Sequence, residues 1–158
     1  MENLFRIVVV AMSKILALDL GDAWVGVALT DRDSLFARPH STVATQDLRS
    51  FLMDILSHEQ IKKIIIGHPR TMKGGHSAQT DKVVAMKEQL VKEFPNHEFI
   101  LWDERLSSKR AESLSSDVRS REEKLKTHAR AAAFILDSYL TFLQVLSERQ
   151  ATEIDKLG

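Results

Sequence analysis

The first residue that could do chemistry is Asp19, which ends an apolar run typical of a strand buried on both faces. Strand pleating places Ile15, Ala17 and Asp19 on one face of that strand. A charge in line with a buried face costs several kcal/mol unless it is hydrated, paired or bound to a cation. We therefore expect Asp19 either at the hydrated rim of a sheet, as an ordinary turn aspartate, or as a ligand of a metal ion.

A second acidic position follows a later apolar run, Phe99 to Trp102, where Asp103 and Glu104 are adjacent. Two carboxylates within ~4 Å of each other repel by about 4 kcal/mol at an effective dielectric of about 20. Such a pair must share a proton, separate or bind a cation, and oxygen ligands suit magnesium or manganese better than zinc. Because adjacent strand residues point to opposite faces, only one of the two can join Asp19, and the strand pattern leaves open which one.

The elements that must position these carboxylates alternate along the chain. Two apolar runs, Ile15 to Leu18 and Val25 to Leu29, predict a hairpin with its turn near Asp22 and Ala23. A third strand is predicted within Leu35 to Val43, with Pro39 forcing it to an edge or a bend. The later pattern predicts a helix over 48–56, a strand at 64–66, a helix over 79–94, a strand at 99–102, a short helix over 109–114, a polar mobile segment over 115–127 and a helix over 128–146.

This order predicts an α/β fold, with a mixed five-stranded sheet of three antiparallel strands and then parallel strands, flanked by helices. Right-handed crossovers bring the carboxyl ends of the first, fourth and fifth strands to one edge, where open α/β sheets form their sites. Asp19, the segment His68 to Gly75 and Glu104 are all predicted to lie at that edge.

Composition limits the class of protein. A chain of 158 residues with 44% apolar and 28% charged residues is typical of one globular domain. Its 22 basic and 22 acidic residues cancel, so nucleic-acid binding would need a local basic patch. The absence of cysteine excludes disulfides and thiolate metal sites and fits a reducing compartment.

The chain ends are predicted to lie outside the domain. The apolar segment Leu4 to Met12 is too short to span a bilayer and lacks a basic leader. We therefore predict an N-terminal extension over 1–11, a domain over 12–147, a polar tail over 148–158, and a cytoplasmic protein without a membrane anchor.

A local basic patch is present between 105 and 130, where eight basic and four acidic residues give a net charge of +4. Beside the predicted site, such a segment suits a phosphate backbone, although an ordinary solvated charged loop has the same composition. The candidate substrate-binding residues are Arg105, Arg119, Arg121, Lys124 and Lys126.

Several motifs, in order and at matching spacing between Lys14 and Leu140, resemble the YqgF family of small bacterial proteins. They are Ile15-Leu16-Ala17-Leu18-Asp19-Leu20-Gly21 with Gly26-Val27-Ala28, then Ile66-Gly67-His68-Pro69, then Asp103-Glu104-Arg105-Leu106-Ser107, and finally the run from Ala131 to Leu140. The resemblance implies an RNase H-like fold and a nuclease that matures the 5′ end of precursor 16S ribosomal RNA. Older naming calls the family Holliday junction resolvases.

The resemblance also implies roles for single residues. Asp19 matches the aspartate that bridges two metal ions in RNase H-like nucleases, and Glu104 matches the glutamate of the family's Asp-Glu-Arg motif. The third family carboxylate should open the last helix, where this chain has His128. Histidine is a poorer magnesium ligand than carboxylate but is acceptable to manganese, and it could transfer protons. Alternatively, His128 is only a polar residue in the first turn of the helix.

Taken together, the resemblance predicts an endonuclease in which Asp19, Glu104 and His128 act on Mg²⁺ or Mn²⁺ and hydrolyse phosphodiester bonds by a two-metal reaction. The implied partner is nucleic acid, either precursor ribosomal RNA or branched DNA, and the expected state is a monomer or a weak homodimer. A rival interpretation is a non-catalytic RNA-binding assembly factor, favoured by the histidine at 128. The first hairpin also resembles that of actin-like ATPases, but those need a second comparable domain, for which this length leaves no room.

Overall fold

The structure is a computed structural model that describes residues 13–31, 35–69, 75, 77–104 and 120–155. Its elements are the strands β1 (Lys14–Leu20), β2 (Trp24–Thr30) and β3 (Ala37–Ala44), a 3-10 turn (Thr45–Asp47), the helix α1 (Leu48–His58), the strand β4 (Ile61–His68), the helix α2 (Ala78–Glu93), the strand β5 (Glu98–Asp103) and the helix α3 (Arg121–Asp155). The short helix predicted over 109–114 lies outside the described residues.

The strands form one five-stranded sheet in the order β3-β2-β1-β4-β5. β1 pairs antiparallel with β2, and β2 pairs antiparallel with β3, whereas β4 is parallel to both β1 and β5. This is the predicted mixed sheet. It follows from the connections, since a short turn reverses the chain after β1 and helices return it to the same end before β4 and β5.

Both faces of the sheet are covered, which explains why its central strands are apolar throughout. Leu16, Leu18 and their neighbours pack under α1 and α2 on one face. Ile15, Ala17 and Ile65 pack under α3 on the other face. The predicted pleat of β1 is thereby confirmed, and the α3 face is the one that continues into Asp19.

β3 is an edge strand, as Pro39 predicts. Its pairing with β2 shifts between Val27 and Ala28, which face Ser41 and Pro39 respectively, so His40 is the extra residue of a bulge. Proline cannot donate a ladder hydrogen bond and is therefore accommodated at this edge.

α3 is longer than predicted at both ends, because it begins at Arg121 rather than His128 and ends at Asp155 rather than Leu146. The prediction of a polar, mobile segment over 115–127 is therefore wrong from Arg121 onward, and residues 115–119 lie outside the described residues. Ser120 and Glu123 form a reciprocal cap: the Ser120 N–H donates to Glu123 Oε2 over 3.1 Å, and the Glu123 N–H donates to Ser120 Oγ over 3.3 Å. Such a capping box starts a helix even where the following residues are charged.

The far end of α3 extends the helix through residues expected to form a polar tail. Glutamate, glutamine, arginine and alanine have high helix propensity, and Gln144 hydrogen-bonds to Glu148 one turn later. Within the described part of the chain, α3 also meets the length and hydropathy criteria for a membrane span. Its apolar face packs on the sheet, so we assign it to the core of the domain.

Candidate active site

The carboxyl ends of β1, β4 and β5 lie side by side at one edge of the sheet, as predicted. Leu18 of β1 pairs with Ile66 of β4, and His68 of β4 pairs with Asp103 of β5. Asp19 therefore lies one position beyond its last pairing with β4, and Glu104 directly follows β5. The two candidate carboxylates are brought to the same edge, with β4 between them.

The register also places Glu104 on the same face as Asp19. Ile100 and Trp102 pack in the cluster under α3, whereas Phe99 and Leu101 pack under the other helices. Continuing this alternation directs Glu104 to the α3 face and Asp103 to the opposite one. The ambiguity between the adjacent acids is thus resolved by the pleat of β5.

The carboxylate of Glu104 rests over Gly67 of β4. A Cβ atom built at Gly67 would lie 2.5 Å from Glu104 Oε1 and 2.5 Å from Ile135 Cδ1 of α3. The missing side chain therefore makes a cradle into which Glu104 folds toward β1. Glu104 is only 5% exposed, so its charge lies in a site where neutralisation by a cation would be strongly favourable.

The backbone of α3 passes directly over Gly26, the residue of β2 that pairs with Asp19. A Cβ at Gly26 would lie only 1.9 Å from the His128 carbonyl oxygen, so a glycine is needed for the helix backbone to pass. Gly26 pairs with Asp19 on one side and with Thr42 on the other. The backbone of His128 is thereby held over β2, one strand spacing (~4.8 Å) from β1. Its side chain is half-buried, and the positions that share its helical face, Ala132, Ile135 and Tyr139, are buried.

Within the described ranges, no group of three histidine, aspartate or glutamate side chains is close enough to hold a metal ion. The structure brings Asp19 and Glu104 to one edge and one face, but it does not assemble them with His128 into a three-ligand cluster. The donors still fit magnesium in kind, because that ion is commonly held by one or two carboxylates while water and substrate phosphates complete its shell. The cradle over Gly67 is the structural feature that supports this fit.

The turn that follows Asp19 is held by three contacts, two from α2 and one from the 3-10 turn. Gln79 of α2 donates to the Leu20 carbonyl over 3.3 Å, and the Thr45 hydroxyl donates to the Gly21 carbonyl over 2.8 Å. Lys82 of α2 forms an ion pair with Asp22 at 2.9 Å. Sequence patterns gave no sign of these contacts, because their partners are far apart in the chain.

A buried threonine fixes the exit of β4. Thr80 is 1% exposed, and its hydroxyl donates to the Pro69 carbonyl over 2.6 Å. Its N–H meets the Ser77 hydroxyl, which caps α2, over 3.2 Å. The beginning of α2 is thereby tied to the strand that carries the glycine cradle.

The candidate substrate-binding residues are only partly described. Arg105 and Arg119 lie outside the described residues. Arg121, Lys124 and Lys126 are exposed on the first turns of α3. Lys126 pairs with Glu122 at 2.8 Å, and this contact lowers the pKa of Glu122, first through the hydrogen bond and then through the charge of the ammonium group.

Comparison with known proteins identifies this arrangement. Residues 13–142 match the family model RuvX, described as Holliday junction resolvase. A relative from Rubrobacter xylanophilus, named "Putative pre-16S rRNA nuclease", is 34% identical over 80% of this chain and 91% of its own length. A relative of the same name from Staphylococcus aureus is 32% identical over 82% of this chain and 96% of its own length.

Solved structures agree on the fold. RuvC of Thermus thermophilus superposes with a TM-score of 0.52 at 11% identity, covering 82% of this chain and 96% of RuvC. The same protein in complex with a Holliday junction substrate gives a TM-score of 0.53 at 14% identity, covering 83% of this chain and 96% of RuvC. The predicted RNase H-like fold is confirmed by these likenesses.

Proposed function

The chain belongs to the RuvX (YqgF) family, and from that premise we propose that it is a divalent-metal-dependent endonuclease acting in 5′-end maturation of precursor 16S rRNA. The observation that supports this most directly is the placement of Asp19 and Glu104 on one face of one sheet edge, with Glu104 folded over the Gly67 cradle. The proposal includes a cytoplasmic location and a monomeric or weakly dimeric state.

In this proposal Asp19 and Glu104 would hold the metal. Two bound ions would supply the chemistry, one by activating water and the other by stabilising the leaving oxygen of the phosphodiester. Ile135 and the Gly67 cradle keep the Glu104 carboxylate in place and exclude water from its inner side. His128 would serve either as a further ligand or as a group that holds a proton at a ring nitrogen.

The substrate would be held by the basic side chains at the start of α3. Arg121, Lys124 and Lys126 are exposed there, and Arg105 and Arg119 belong to the same proposal through their place in the sequence. If about four phosphates of single-stranded RNA are neutralised, the slope of log affinity against log salt should be about −2.8. A slope near zero would remove these side chains from the proposal.

The test is cleavage of a labelled precursor-like RNA in Mg²⁺ and, separately, in Mn²⁺. Asp19→Asn and Glu104→Gln should abolish cleavage while leaving RNA binding intact, and chelation of the metal should do the same. Asp54→Asn and Glu98→Gln are matched controls, because they make the same changes at exposed positions outside the site. Cleavage that persists in the two site variants would contradict the proposal and indicate another site or a contaminant.

Two other functions have a specific observation behind them. The description of the family model favours junction resolution, which needs two sites on one four-way junction; dimer formation by light scattering and paired cuts in junction DNA would support it. The lack of a three-ligand group among the described side chains favours a non-catalytic RNA-binding factor. That function predicts RNA binding without cleavage in either metal.

A further inference from the structure

A groove of about 410 Å³ lies outside the candidate active site, between the first turns of α3 and β3, the outermost strand of the sheet among the described residues. Residues 39–42 form its strand wall, and a stripe of α3 that includes Glu122, Lys126 and Arg130 forms its helix wall. Its volume is within the range of pockets that bind small molecules or single units of a polymer.

The helix wall carries one carboxylate and two cations at regular spacing. Glu122, Lys126 and Arg130 stand four residues apart and therefore share one side of α3. Lys126 is paired with Glu122, but both side chains are more than half exposed, so solvent screens the pair and Lys126 can turn to another anion. In the part of the chain that the structure describes, Arg130 has no carboxylate within ion-pair distance.

The structure of the strand wall favours a phosphate backbone over an extended polypeptide as the occupant. A free sheet edge can accept an extended polypeptide as an added strand, but only where its N–H and C=O groups form a regular row. Here Pro39 lacks an N–H and the bulge at His40 interrupts the row. A phosphate backbone needs no such register, and the His40 ring, held edge-on against Phe51 at 6.1 Å, adds an aromatic surface for a base.

The groove and the candidate site lie on one line of paired residues that crosses the sheet. Thr42 and Asp19 flank Gly26 on opposite sides, which separates their backbones by two strand spacings, about 10 Å. The Thr42 hydroxyl donates to the Leu125 carbonyl and closes the groove against α3. We propose that this groove binds the phosphate backbone of the substrate strand that flanks the bond cleaved at Asp19 and Glu104. The inference rests on the proposed nuclease function.

The test measures binding apart from cleavage. A fluorescein-labelled single-stranded RNA of about 20 nucleotides, longer than the ~4–16 that a small single-strand-binding domain covers, is titrated with metals chelated. Lys126→Gln with Arg130→Gln should weaken binding about ten-fold or more and make the salt slope shallower by about 1.4 between about 50 and 200 mM salt. Glu122→Gln should tighten binding, because it removes a like charge from the phosphate path.

The control pairs Lys92→Gln with Arg149→Gln, which removes the same charges from exposed positions on α2 and the far end of α3. Equal losses of RNA affinity in the groove and control pairs would overturn the proposal. Unchanged RNA affinity in the groove pair would also overturn it and would leave an extended polypeptide as the occupant. If the wild type binds RNA, the groove pair weakens that binding as expected, and the wild type never cleaves, the nuclease function is refuted while the groove proposal stands. Wild type that does not bind RNA would overturn the groove proposal.

Discussion

Replacing Gly67 by alanine tests the cradle that holds Glu104. The new Cβ would lie 2.5 Å from both Glu104 Oε1 and Ile135 Cδ1. Carbon atoms pack best at about 3.5–4.0 Å, so these two groups must each retreat by about 1 Å. Overpacking of this kind costs about 1–3 kcal/mol of folding free energy. A displacement of about 1 Å in a catalytic group can cost about 100-fold in rate.

Ile135→Val separates the loss of stability from the loss of cleavage rate. It removes Cδ1, one of the two atoms in the clash, and costs about 0.5–1.5 kcal/mol by itself. The double variant should therefore be more stable than the sum of the single effects predicts, by at least ~0.5 kcal/mol. Cleavage should not recover, because Glu104 stays displaced.

The assays are urea unfolding for stability and single-turnover cleavage of labelled RNA for rate. Full stability and full activity in Gly67→Ala would refute the placement of Glu104 over β4. A loss of stability with unchanged cleavage would show that the carboxylate in the cradle does not take part in the reaction.

Three further predictions concern stability. Gly26→Ala should cost at least about 3 kcal/mol in urea unfolding, because the clashing atom is the backbone oxygen of His128, which cannot rotate away as a side chain can. Ser120→Ala should cost about 1 kcal/mol and speed amide exchange in the first turn of α3, whereas Ser147→Ala on the same helix should not; equal exchange in the two variants would contradict the capping box. Burial lowers the pKa of His97 from its ordinary value of 6.5, so the unfolded chain binds its proton first as pH falls. His97 therefore takes stability away from the wild type as pH falls below about 6.5, and His97→Asn should show a smaller loss in that window; identical pH profiles of the two would contradict the shift.

The layout of the sheet could be predicted because short-range signals agree with the long-range fold. Apolar runs of strand length, the turn at Asp22 and the helical spacing after Leu48 each specify one element, and the crossover rule then orders the strands. Asp19 could be singled out as a candidate because a charge at the end of a buried run is costly and therefore conspicuous. The individual strands and helices are therefore specified by local sequence signals.

The assignment of Glu104 over Asp103 could not be made from periodicity. Phe99 through Trp102 are all apolar, so the run has no polar face to set the phase of its pleat. Only packing on both sides of β5 sets that phase. The early start of α3 is a different case, because the Ser120–Glu123 capping box is visible in the sequence and the density of charge around it obscured the signal.

The two glycine contacts belong to tertiary structure alone. Nothing near Gly26 or Gly67 in the chain shows that a helix backbone or a glutamate carboxylate will occupy the missing side-chain space. Likewise, the hydrogen bond from Gln79 to Leu20 joins segments whose separation in sequence hides their contact.

The close contact at Gly26 makes α3 a lever with unequal arms. From His128 the helix runs about 10 Å back to Arg121 and about 40 Å on to Asp155, at ~1.5 Å per residue. A tilt that moves the distal end by about 4 Å would move the basic end by only about 1 Å, in the opposite direction. In such a tilt, motion imposed on the distal end is reduced about four-fold at the basic end of α3, beside the candidate site.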